Sequence, residues 1–93
     1  MTYDLRYHPK VAEEDLPKIS AEVRRRVLRA IETKLTTAPE LYGVPLRGSL
    51  RGYSKLRVGD HRVVFSLGSQ TGSVVAIVHR RAPRARRSQA ALM

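Results

Sequence analysis

Three cations fall at alternating positions around a two-residue turn, in the segment Tyr53-Ser-Lys-Leu-Arg-Val-Gly-Asp-His-Arg-Val-Val-Phe65. Gly59-Asp60 suits a type II′ hairpin turn, with glycine at the first central position. With these two residues as the loop, Val58 faces His61, Arg57 faces Arg62, Leu56 faces Val63 and Lys55 faces Val64. Strand side chains alternate between faces, so Leu56, Val58, Val63 and Phe65 point one way and Lys55, Arg57 and Arg62 the other. Two arginines placed directly opposite each other cost roughly 0.2–1 kcal/mol on the scale of cross-strand pairs. A cluster that weakens its own sheet points to a negative ligand, and the chemistry fits a phosphodiester backbone. A guanidinium can grip two phosphate oxygens at once, and preorganised positive charge is what phosphoryl transfer gains most from.

The charge distribution agrees. The chain has 93 residues and a net charge of +10. Residues 1–46 hold eight Lys/Arg and seven Asp/Glu, whereas residues 47–93 hold ten Lys/Arg and one acid, Asp60. The first half is a mixed-charge scaffold and the second carries the footprint of a nucleic-acid binder. A single acid in that half argues against a two-carboxylate or Mg²⁺-dependent nuclease. No Ser-His-Asp arrangement, zinc-ligand spacing or phosphate-binding glycine loop is visible, and the absence of cysteine excludes disulfides and thiolate metal sites. No cofactor is expected. The N-terminus lacks a signal-peptide pattern and no segment approaches the ~20 apolar residues of a membrane helix, so the expectation is a soluble cytoplasmic protein.

Further candidates carry both a functional and a structural reading. Tyr53 can stack on a base beside a basic groove or pack at the rim of a core. His79, at the end of an apolar run, titrates near neutrality but reads first as structural, as does His61 beside the turn. His8, before Pro9, reads as exposed. Arg24, Arg25 and Arg26 read as a solvated helix flank.

The elements that position these residues follow from periodicity. Tyr3, Leu5 and Tyr7 alternate with polar residues as a half-buried first strand. Pro9 opens a short helix with Val11, Ala12 and Leu16 as its stripe, ending near Pro17. Ser20 is the N-cap of a second helix, whose stripe is Val23, Val27, Leu28, Ile31 and Leu35. Residues 38–52 read as turn and extended chain, anchored to the core by Leu46 and Leu50. The hairpin follows, then a turn at Gly68–Gly72 and a well-buried strand, Ser73-Val-Val-Ala-Ile-Val-His79. The whole is an α+β domain: an N-terminal strand, a helical hairpin and an antiparallel three-stranded meander in one sheet, with helices packed on one face. Residues 1–93 form a single domain, in which 82–93 is a basic C-terminal segment that leaves the sheet and can be flexible.

Taken in order, the aromatic first strand, the helical hairpin, the Pro39…Gly43…Pro45-Leu46-Arg-Gly48 connection, the hairpin Leu56-Arg-Val-Gly-Asp-His-Arg-Val-Val-Phe65 and the closing His79-Arg80-Arg81 resemble the RelE/ParE superfamily of toxins, up to about Arg81. The resemblance implies a type II toxin with a cognate antitoxin partner. RelE-like members are ribosome-dependent endoribonucleases that cut mRNA in the A site without metal, by attack of a ribose 2′-hydroxyl on the adjacent phosphate. ParE-like members act on DNA gyrase and do not cleave RNA. On the first reading Lys55 matches a lysine assisting proton transfer. Arg62 and Arg81 match arginines that stabilise phosphate charge, and Arg57 matches an RNA contact. Arg80, Tyr53 and Arg84 join as RNA-binding residues. The chain departs from the RelE-like pattern in having no tyrosine after Tyr53. A gyrase inhibitor, or an RNA-binding module without toxicity, is the alternative.

Overall fold

The structure, a computed structural model, describes residues 3–81. The basic segment expected at 82–93, with Arg84, lies outside the described residues. Strand β1 (Asp4–Tyr7) is followed by a helical arm, wide-turned over Val11–Asp15 and tight over Leu16–Lys18. This irregular winding turns Ala12 out to solvent while Val11 is fully buried.

Ser20 caps α1 (Ala21–Ala30), its hydroxyl accepting from the Val23 N–H at 3.4 Å. That contact satisfies one of the donors a helix start leaves unpaired. The helix continues through wider turns over Ile31–Leu35. Its stripe buries Val27, Ile31 and Leu35 completely. At its end the Thr36 and Thr37 hydroxyls donate back to the carbonyls of Glu32 and Thr33.

The stretch read as turn and extended chain contains a short helix, α2 (Pro39–Tyr42), and a two-residue edge strand, β2 (Val44–Pro45). Proline, which cannot donate to a ladder, is tolerated there because the strand is an edge. Strands β3 (Tyr53–Val58), β4 (His61–Leu67) and β5 (Thr71–His79) complete a five-stranded sheet of order β1-β5-β4-β3-β2. β1 runs parallel to β5, and the other pairs are antiparallel. The expected α+β architecture is therefore observed, with β2 added at the far edge.

The helical arm and the long helix lie on one face, while a single tight turn of helix, Gly48–Leu50, sits against the other. Val11, Val27, Ile31 and Leu35 meet Leu56, Val58, Val63, Phe65, Val74 and Ile77 in the main core. A second, smaller patch lies on the opposite face, where Val75 and Ala76 pack against Leu50, Tyr53, Val64 and Val78. Leu50 thus anchors the 38–52 connection to this outer patch and not to the main core. A register shift between Val64 and Phe65, opposite Val75, makes the outer patch possible: Val64 pairs with Ala76 but Phe65 with Val74. Among the described residues the β1 side of β5 has no strand partner beyond Val74, and there the Asp15 carboxylate accepts from the Ile77 N–H at 2.9 Å. A side chain there blunts an edge that would otherwise be open to pairing.

Gly43 lets α2 close over the core. A Cβ at this position would lie 2.4 Å from Phe65 Cζ and 3.0 Å from the Pro39 carbonyl oxygen. The Gly43 backbone, at φ −89°, suits any residue, so the constraint is packing alone. Gly43→Ala is expected to lose about 1–3 kcal/mol, the cost of overpacking a filled core. Urea unfolding measures this, and unchanged stability would contradict the packing described.

Candidate nucleic-acid interface

The hairpin has the register expected from its turn. Arg57 faces Arg62, Leu56 faces Val63, Lys55 faces Val64 and Val58 faces His61. Gly59 has φ +59° and no described non-glycine residue has a positive φ, which is the signature of a type II′ turn. Leu56, Val58, Val63 and Phe65 are buried on the helix side. Alternation then sends Lys55, Arg57 and Arg62 to the opposite face of the sheet, away from the main core. Arg57 and Arg62 are exposed and Lys55 is half-buried. Among the described residues none of the three is in an ion pair with a carboxylate. The Arg57 Nε donates to the Gly59 carbonyl at 3.3 Å, tying that guanidinium to the turn.

Lys55, Arg57, Arg62 and Arg80 line one open cavity of about 470 Å³, joined there by Lys34 and Tyr42. The Lys34 Nζ lies 5.3 Å from the centroid of the Tyr42 ring. Lys34 and Tyr42 come from the end of the long helix and from α2, so no local spacing could have linked them to the hairpin. Arg80 is partly engaged: its backbone N–H donates to the Asp60 carbonyl at 2.8 Å, and its Nε lies 3.6 Å from the Asp60 carboxylate. This holds the start of the C-terminal segment against the hairpin turn. Arg81 is exposed and stands outside that cavity, its N–H donating to His79 Nδ1 at 3.1 Å. Tyr53 sits further along β3 on the same face as Lys55, against the outer apolar patch. The structure therefore gathers Lys55, Arg57, Arg62 and Arg80, sets Tyr53 and Arg81 to either side, and leaves Arg84 outside the described residues.

Arg24 is not a free part of a solvated flank. It is half-buried and one terminal nitrogen donates to the Ile19 carbonyl at 3.0 Å, while its Nε is buried without a partner. His8 is likewise engaged, its Nδ1 accepting from the Lys10 N–H at 3.0 Å. Among the described residues no group of three or more His, Asp or Glu side chains could hold a metal ion, and no helix is long and apolar enough to cross a membrane.

His61 and His79 pair across β4 and β5, edge to face, with ring centroids 5.1 Å apart. His61 faces Val58 on the helix side of the sheet, yet at the turn it also lines the cavity that holds Arg57 and Arg62. Burial, and then the neighbouring His79, hold the pKa of His61 below its ordinary 6.5, against an upward pull from Asp60.

Residues 5–83 match the family model described as the ParE toxin of type II toxin–antitoxin systems, parDE. No curated protein matches the sequence. Among solved structures, the RelBE2 toxin–antitoxin complex of Mycobacterium tuberculosis aligns with a TM-score of 0.79 at 25% identity, over 88% of this chain and 95% of that chain. A mutant of the E. coli toxin RelE in the free state aligns at 0.66 and 18% identity, over 87% and 86%. The RelB–RelE antitoxin–toxin complex of Methanococcus jannaschii aligns at 0.61 and 15%, over 82% and 91%. At these identities the last two show a shared fold.

The histidine pair gives a direct test of this end of the sheet. With a folded-state pKa below 6.5, His61 takes up its proton first in the unfolded chain. Its contribution to stability is intact above that value and is lost as pH falls through the interval down to the folded pKa. Titration of the His61 ring by NMR is expected to give a pKa below 6.5, moving upward in His79→Gln. A value unmoved by that substitution would contradict the coupling.

Proposed function

The chain belongs to the ParE toxin family of type II toxin–antitoxin systems, within the RelE/ParE superfamily, and from that premise we propose that it acts on RNA. The reading is a ribosome-dependent, metal-independent endoribonuclease of the cytoplasm that cleaves mRNA in the A site. The observation that carries it is the Arg57–Arg62 pair, opposed on an exposed sheet face without a carboxylate partner among the described residues. No described carboxylate offsets that repulsion, and a phosphodiester would.

In this reaction the ribose 2′-oxygen forms a bond to the adjacent phosphorus as the bond from phosphorus to the 5′-oxygen breaks. One proton leaves the 2′-hydroxyl and one reaches the departing 5′-oxygen. Arg62 and Arg81 stabilise the charge on the non-bridging oxygens, Arg57 holds the backbone, and Lys55 assists the proton transfers. Arg80, Tyr53 and Arg84 add RNA contacts. Arginine suits the first roles because its planar fork meets two phosphate oxygens. The cognate antitoxin is the expected protein partner, and similar folds are seen in complex with antitoxins.

A second reading, a gyrase inhibitor that cleaves nothing, is favoured by two observations: the matching family model is that of ParE, and no tyrosine follows Tyr53. Cleavage of a defined mRNA in a purified translation system, compared with inhibition of gyrase supercoiling, separates the two. Ribosome-dependent cuts within A-site codons are expected, falling about 10²–10³-fold in Arg62→Ala, the usual effect of removing a preorganised donor. Folded protein that leaves mRNA intact and inhibits supercoiling would replace the nuclease reading with the second.

A further inference from the structure

One row of side chains runs straight across the sheet face opposite the main core. Tyr53 pairs with Ser66, Ser66 with Ser73, and Ser73 with Arg6. Residues in register across a sheet share a face, so the four stand side by side on β3, β4, β5 and β1. At the usual strand spacing the row is about 14 Å long. Two small serines lie between a tyrosine and an arginine, which leaves a trough. Its volume is about 460 Å³, and Val75 contributes to its wall. Among the described residues the Tyr53, Ser66 and Ser73 hydroxyls make no side-chain hydrogen bond and Arg6 makes no ion pair.

Besides the four row residues and Val75, the trough is lined by Tyr7, His8 and Val74, and a concave recess with a few placed polar groups is the form a ligand site takes. The particular groups narrow the ligand. An aromatic ring offers a stacking surface for a base. Serine hydroxyls both donate and accept, and a guanidinium donates two parallel hydrogen bonds that match the O6 and N7 acceptors of guanine. The trough and the basic row lie on the same sheet face, where Tyr53 and Lys55 are next neighbours along β3. A strand whose phosphate lay on Arg57 and Arg62 would lead toward it.

We propose that the Arg6–Ser73–Ser66–Tyr53 row is a base-binding subsite that takes an unpaired guanine of the RNA, with Arg6 as the residue that selects the base. The subsite rests on the RNA reading above and gives it a sequence preference that the phosphate contacts cannot supply.

The test uses the full chain and short 2′-O-methyl oligoribonucleotides that cannot be cleaved, identical except for one G, A, C or U. Binding is followed by fluorescence anisotropy and by the amide resonances of Ser66 and Ser73. The expected result is about tenfold tighter binding of the G oligomer than of the U oligomer, the lower end of what one bidentate base contact gives, with the serine amides shifting. In Arg6→Ala this preference is expected to vanish while affinity for the U oligomer holds. Ser73→Val is expected to weaken the preference independently. Equal binding of all four oligomers by the wild type, lost in Arg57→Ala/Arg62→Ala, would leave the RNA reading standing and overturn the subsite. Equal weakening for every base in Arg6→Ala would reduce Arg6 to bulk charge and overturn its selecting role. Serine amides that ignore RNA but shift with an antitoxin peptide would assign the trough to protein instead.

Discussion

The structure depends on the register of one hairpin. Gly59 supplies the positive φ that a two-residue type II′ turn requires, and burial of Leu56, Val58, Val63 and Phe65 permits no other alignment. A shift of one residue would exchange the two faces completely, driving Lys55, Arg57 and Arg62 into the core. The same constraint sets Arg57 against Arg62, a mildly repulsive pair. The hydrophobic face therefore fixes the position of a charged face that could not organise itself.

The face opposite the main core is graded along the strands. The arginines lie at the turn, an apolar patch around Val64, Val75 and Ala76 lies in the middle, and the Tyr53–Ser66–Ser73–Arg6 row lies beyond. The register shift at Val75 matters to this order, because it restores Val74 to the core while adding an apolar side chain to the outer patch. On the other face Asp15 reaches across from the helical arm to the β5 backbone, so the sheet is closed on that side by a carboxylate. Acidic groups thus serve structure: Asp15 caps an edge and Asp60 holds Arg80. Among the described residues Lys55, Arg57 and Arg62, in contrast, have no carboxylate in ion-pair contact.

Much of this was legible in the sequence because it is local. The alternation of Leu56, Val58, Val63 and Phe65, the Gly59-Asp60 pair, the Ser20 cap and the stripe from Val27 to Leu35 all express short-range periodicity, and each appears as read. Non-local features escaped. The β2 edge strand is two residues long and contains proline, so it carries no periodic signal. Lys34 and Tyr42 join the basic cavity through tertiary packing. The parallel pairing of β1 with β5 is set by chain return, not by the pattern of either strand. Arg24 looked like one of three equivalent arginines, yet only its reach to the Ile19 carbonyl distinguishes it. Of the candidate site, the row on the hairpin was visible from spacing alone, whereas the row across four strands required the ladder register.

The central claim is that Arg57 and Arg62 contact phosphate. Its most direct measurement is the salt dependence of binding to an uncleavable single-stranded RNA, for the wild type and for Arg57→Ala/Arg62→Ala. Each phosphate neutralised on a single strand contributes about −0.7 to the slope of log K against log salt concentration. The account predicts that the double substitution makes the slope shallower by about 1.4. A slope unchanged by that substitution would mean that the opposed arginines do not contact the backbone, and would contradict the account at its base.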